Sequence, residues 1–110
     1  MKMEVRDSDD IKILEFEGNL DTNTSPDAEA TINELIDNGS LKLLANFEKL
    51  NFISSAGLRV LLATAKRLRG IGGDLRICGL NPTVQEVFDI SGFGSILSVC
   101  SSESDALSLF

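Results

Sequence analysis

Between Leu41 and Leu68 the hydrophobic period of the chain changes once. Leu41-Lys42-Leu43-Leu44-Ala45 is a short apolar run of strand type. Leu58, Leu61, Leu62, Ala65 and Leu68 then recur at i, i+3, i+4, i+7 and i+10, the stripe of an amphipathic helix. The switch falls in Asn51-Phe52-Ile53-Ser54-Ser55-Ala56-Gly57. A strand that feeds a helix through such a hinge is half of a βαβ unit, which implies a parallel neighbour reached by a right-handed crossover. The hinge also sets two hydroxyls at a helix N-terminus. Unpaired N–H groups and the positive end of the dipole suit that place to a cap, and equally to a phosphate.

The flanking segments extend the pattern. Met3 to Val5 and Ile11-Lys12-Ile13-Leu14-Glu15-Phe16-Glu17 read as strands, the second alternating except at Leu14. Asp7-Ser8-Asp9-Asp10 reads as the turn of an antiparallel hairpin. Gly18 to Pro26 reads as a loop into a helix, with Ser25 as N-cap, Pro26 at the first helical position and Asn38-Gly39 at the end. The next strand is expected from Leu41 to Phe47 and the hinge helix from Ser55 to Arg69, stopped by Gly70-Ile71-Gly72-Gly73. Asp74 to Cys78 is a further strand, and Asn81-Pro82 opens a helix bearing Val84, Val87 and Phe88. Ser91 to Gly94 is a turn, Ile96 to Val99 a last strand, and Ser101 to Phe110 a terminal helix. The order β-β-α-β-α-β-α-β-α implies a mixed, mostly parallel sheet of about five strands and about four helices. The chain of 110 residues is expected to form one domain over 1–110.

Charge and composition exclude several functions. A net charge of -7 argues against direct nucleic-acid binding, which needs clustered cations. Lys66-Arg67-Leu68-Arg69, with Arg59 before it, reads as a solvated helix face or as a basic rim for an acidic partner. No apolar run approaches the ~18 residues of a membrane span, and the charged N-terminus is unlike a signal peptide, so a cytoplasmic protein without membrane contact is expected. Without His or a Cys-x-x-Cys pattern, no metal site is expected; Cys78 reads as buried core material, and a disulfide with Cys100 stays open though a cytosolic setting disfavours it.

Three chemistries compete for the hinge. Serine hydrolysis lacks both Gly-x-Ser-x-Gly and a His base, so no catalytic residues are assigned and an enzyme is not expected. A phosphate loop at Gly70-Ile71-Gly72-Gly73 has the wrong order, because it follows a helix and precedes a strand. Covalent switching remains. A phosphoryl group on Ser55 adds roughly -1.5 to -2 charges and three acceptor oxygens at a terminus able to tolerate them. The residues alone leave this open against a simple cap at Ser54 or Ser55.

Phe52-Ile53-Ser54-Ser55-Ala56-Gly57-Leu58 resembles the hinge of the anti-sigma factor antagonists of the STAS domain family. Gly18-Asn19-Leu20-Asp21, Gly72-Gly73-Asp74-Leu75, Asn81-Pro82-Thr83-Val84 and Phe88-Asp89-Ile90-Ser91-Gly92-Phe93 match in the same order, so the resemblance covers nearly the whole chain. It implies a STAS-like fold and a phosphoprotein that is a substrate and binding module. The implied partner is an anti-sigma factor that is also a serine kinase and itself binds ATP; the chain carries no cofactor. The unphosphorylated form binds it and frees the sigma factor, phosphorylation weakens binding, and a serine phosphatase restores the active form.

By register the acceptor is Ser55, with Ser54 as its rival, because Ser54 stands where the family usually has Asp. The partner-facing surface expected from the resemblance comprises Asp21, Thr22, Ser54, Ser55, Ala56, Gly57 and Arg59. Asp21 is equally readable as a turn carboxylate. Asn46 is expected to fix the hinge loop through its side chain. The Ser54 departure keeps a second reading open: a STAS-type scaffold or ligand-binding module without a phosphoryl switch.

Overall fold

The computed structural model describes all residues from Met1 to Phe110. Its elements are β1 (Lys2–Ser8), β2 (Ile11–Leu20), α1 (Ser25–Asp37), β3 (Lys42–Ile53), α2 (Ser55–Gly70), β4 (Asp74–Cys78), α3 (Pro82–Ser91), β5 (Ser98–Cys100) and α4 (Glu103–Ser108), with a 3-10 turn at Phe93–Ser95. The five strands lie side by side in sequence order. β1 pairs antiparallel with β2, and the other three pairings are parallel. The expected order of elements and the mixed sheet are therefore present.

Both faces of the sheet are apolar, and this explains the irregular alternation in β2. Leu14 and Phe16 join Leu43, Ala45, Phe47, Leu75 and Ile77 in the main core, which takes in the buried faces of α1, α2 and α3. Ile11 and Ile13 join Leu44 and Cys78 in a smaller core closed by Ala106 of α4. Leu14 breaks the alternation because the burial of β2 passes from one face to the other there. Phe16 and Phe47 meet edge to face, with ring centroids 5.1 Å apart, at the centre of the main core. On the other face, the Arg76 guanidinium lies 5.4 Å from the centroid of Phe110.

Several boundaries differ from the sequence reading. β1 spans seven residues, so the turn shrinks to Asp9-Asp10, with Asp9 at φ 54. β2 continues to Leu20 and β3 to Ile53, because Asn19↔Phe52 and Leu20↔Ile53 extend the ladder through residues that look like loop. β5 lies at Ser98–Cys100, opposite Arg76 to Cys78, rather than at Ile96 to Val99. α4 is only six residues long and is capped by Ser102, whose hydroxyl accepts from Asp105 N–H. In α2 Leu62 is only half-buried, whereas Val60 and Thr64 are buried.

Asn46 lies within β3 rather than at its end. Asn46 pairs with Glu15 and Lys49 with Glu17, so Phe47 and Glu48 together oppose Phe16 in a bulge. Asn46 Oδ1 accepts from Glu48 N–H (2.9 Å), and Asn46 Nδ2 donates to Glu103 Oε1 (3.0 Å). Arg6 donates to the same Glu103 oxygen (2.5 Å) and to Glu15 (2.8 Å). Asn46 thus fixes a bulge and ties α4 to the sheet. The hinge loop is held by other groups.

The glycines after α2 are structural. Gly73 N–H donates to Leu68 O (2.7 Å), and a Cβ on Gly73 would sit 2.1 Å from Leu41 O. Leu41 O also accepts from Asp74 N–H (2.9 Å), so this close approach launches β4 beside β3.

Cys78 and Cys100 are both free, and they face one another in the β4–β5 register. Burial, reinforced by the Glu103 and Glu48 carboxylates, pushes the Cys78 thiol up to about 12. A thiol so raised has almost no thiolate near neutral pH. A thiol-specific reagent at pH 8 is expected to modify the half-buried Cys100 first. Cys78 should react only as fast as the protein opens, and rapid modification of both thiols in the folded protein would contradict this placement.

Candidate functional site

The hinge is built by backbone groups from two strands. Leu20 and Ile53 end β2 and β3 together, and Ser54 N–H donates to Leu20 O (2.9 Å). Ser54 has extended backbone angles, φ -97 and ψ 175, as an N-cap should. Its hydroxyl accepts from Gly57 N–H (3.4 Å), a long capping bond, and its carbonyl accepts from Leu58 N–H (3.0 Å). Gly57 is buried beneath the hinge. A Cβ there would lie 2.7 Å from Ile53 Cγ1 and 2.8 Å from Leu20 O. Glycine lets the first turn of α2 sit directly on the ends of β2 and β3, and Gly57 shapes the surface from below.

Ser55 occupies the first helical position and is exposed, whereas Ser54 is half-buried. The two hydroxyls therefore differ: Ser54 serves as the cap, and Ser55 projects from the end of the helix. Phe52, 43% exposed, stands beside them at the end of β3. The sequence reading missed its exposure, because the expected strand ended at Phe47. With β3 running to Ile53, alternation sends Ile53 inward and Phe52 outward.

Asp21 lies next to the hinge because Leu20 pairs with Ile53. Its carboxylate is engaged in a turn, accepting from Asn23 N–H (2.9 Å) and Thr24 N–H (3.1 Å). Thr24 donates to Asn19 O (2.8 Å) and accepts from Asp21 N–H (2.9 Å). This turn displaces the expected cap: Thr24 precedes α1 with φ -98 and ψ -20, and no side chain caps the helix. Ser25, read from sequence as the N-cap, is instead the first residue of α1. It is 5% exposed, and its Oγ has no hydrogen-bond partner.

A shallow groove of about 370 Å³ runs between the first turns of α1 and α2. Thr22, Ser25, Pro26 and Glu29 form one wall, and Ala56, Arg59, Val60 and Ala63 the other. Thr22 and Arg59 are exposed and Ala56 is half-buried. The structure therefore brings Asp21, Thr22, Ser54, Ser55, Ala56 and Arg59 to one end of the molecule.

Of the rest of the basic segment, Lys66 is exposed and unpaired, whereas the two arginines are tied to neighbouring elements. Arg67 donates to Asn33 (3.0 Å) and Asp37 (2.5 Å) of α1, and Arg69 donates to Asp74 (3.3 Å) and to Ile96 O (3.1 Å). Asn81, expected to open a helix, has a second part that the sequence did not reveal. It caps α3 through Val84 N–H (2.8 Å) while donating to Leu50 O (2.9 Å), which fixes the last turn of β3 before the hinge.

A profile of the STAS domain matches residues 2–106. The chain is 38% identical over 110 residues to a Bordetella bronchiseptica protein named "Putative anti-sigma factor antagonist BtrV", covering 100% of this chain and 95% of that one. The chain belongs to the STAS domain family, among its anti-sigma factor antagonists. In that family it is a binding regulator and not an enzyme. The fold agrees. An anti-sigma factor antagonist from Mycobacterium paratuberculosis superposes with a TM-score of 0.90 at 22% identity, covering 98% of this chain and 92% of that one. The Bacillus cell fate determinant SpoIIAA, solved in its phosphorylated form, gives 0.74 at 24% identity, with 97% of each chain covered. No helix of this STAS domain is long and apolar enough to cross a membrane.

The unequal use of the two serines predicts unequal stability effects. Ser54→Ala removes the cap and should cost about 0.5–1 kcal/mol, the low end for such caps because the bond is long. Ser55→Ala should stay within about 0.5 kcal/mol of the parent. Urea denaturation of both variants checks the assignment, and a larger loss at Ser55 would reverse it.

Proposed function

We propose that this STAS domain acts in the cytoplasm as a phosphorylation-switched anti-sigma factor antagonist. Unphosphorylated, it binds an anti-sigma factor that is also a serine kinase and so releases the sigma factor, which regulates transcription indirectly. The kinase, not this chain, holds ATP. Ser55 Oγ attacks the γ-phosphorus; the new Oγ–P bond forms as the bond to ADP breaks, and the hydroxyl proton passes to a base of the kinase. A serine phosphatase returns the phosphoryl group to water and restores the binding form.

The observation that carries this reading is the division of labour at the hinge. Ser54 caps α2 and leaves the exposed Ser55 free at the first helical position. A modified Ser55 keeps the cap, and the helix dipole favours the added charge. The fold survives while the local surface changes sign. A partner packed on Asp21, Thr22, Ser54, Ser55, Ala56 and Arg59, with Gly57 beneath, would then have to desolvate a phosphate. The name borne by the Bordetella relative and the phosphorylated state of SpoIIAA support the same reading.

Incubation with the cognate kinase and ATP, followed by mass-spectrometric mapping, is expected to add one phosphate at Ser55. Ser55→Ala should remain unmodified and still bind the kinase, and Ser55→Asp should bind at least several-fold more weakly. A phosphate on Ser54 would move the site by one residue. No phosphate on either serine would favour a STAS-type scaffold or ligand-binding module instead.

A further inference from the structure

We propose that Arg59 is an intramolecular clamp for the phosphate on Ser55, so that modification masks a cation as it adds an anion. The inference rests on Ser55 as the acceptor and adds the residue that receives the charge. Ser55 and Arg59 are four apart in α2, so they are neighbours on one face about one turn apart. Side chains on a helix lean toward its N-terminus, which points the Arg59 stem back at Ser55. Arg59 is exposed and takes part in no ion pair, unlike Arg67 and Arg69 of the same helix. A planar guanidinium can meet two phosphate oxygens at once.

The groove beside Arg59 points the same way. Ser25 in its opposite wall is buried with its Oγ sealed from solvent, so it does not compete for the guanidinium. Thr22, on the same wall, adds an exposed hydroxyl. Glu29 of α1 is the only other charged residue lining the groove, and it forms no ion pair with Arg59. Arg59 is thus free to serve a partner when Ser55 is bare and is captured from within when Ser55 is modified.

The test installs phosphoserine at position 55 by genetic encoding, without the kinase, and follows the phosphorus resonance through a pH titration. Arg59→Ala should raise the second phosphate pKa by roughly half a unit, because loss of the cation disfavours the dianion. Arg59→Lys, which keeps the charge but loses the fork, should raise it less. Equal midpoints in the parent and Arg59→Ala would overturn the clamp. Failure of the kinase to modify Ser55 would strike the switch instead, and the two failures are told apart because the titration does not use the kinase.

Discussion

The functional end of this molecule depends on the parallel pairing of β2 with β3 along their whole length. The register begins at Ile11↔Lys42 and ends at Leu20↔Ile53, absorbing two irregularities on the way. A slip of one residue would exchange the faces of β2. Ile11 and Ile13 would then meet α1 and α2, and Leu14 and Phe16 would meet the small face under α4. Because the two apolar faces have different partners, only one register satisfies both. That register delivers Leu20 O to Ser54 N–H, and Gly57 lets α2 close over the same carbonyl. The position of Ser55 follows from a backbone arrangement set by the sheet core.

How legible this was depended on whether the deciding chemistry is local. The α2 stripe apart from Leu62, the break at Asn38-Gly39 and the start of α3 at Asn81-Pro82 are written in adjacent residues, and they stand where the sequence places them. The second half of β3 is not local. Glu48, Lys49 and Asn51 are polar and exposed around the buried Leu50, and the segment becomes strand only because β2 pairs alongside it. Ser25 shows the opposite failure. Its sequence context suits a cap, but the Asp21–Thr24 turn already satisfies the N–H groups before the helix, so Ser25 is carried inside. The second core was hidden for a related reason: Ile11 and Ile13 reveal their cover only when α4, far along the chain, returns to them.

The hinge shows how two adjacent serines acquire separate work. An N-cap needs an extended backbone and an oxygen aimed at the N–H groups of the first turn, and Ser54 has both. The next residue is already helical, so its side chain cannot reach those groups and projects outward. Identical side chains therefore differ in burial and in engagement through one step of backbone geometry. The family's usual Asp at the Ser54 position would supply the same cap with a negative charge. With serine there, the cap is neutral, and the field at Ser55 comes from the dipole of α2 and from Arg59.

That local field matters more than the acidity of the whole chain. Net charge is -7, which at first sight opposes a further anion. Salt screens exposed charges beyond about 8 Å at physiological ionic strength, so most of those carboxylates act weakly at Ser55. A cation four residues further on, about 6 Å along the axis, lies inside that distance. So does the roughly half-unit positive charge of the helix N-terminus. Nearby, the Asp21 carboxylate is tied to the N–H groups of its own turn, which offset part of its charge. An acidic protein can thus hold a favourable place for a phosphate, provided the nearest groups are cationic or, like Asp21, engaged elsewhere.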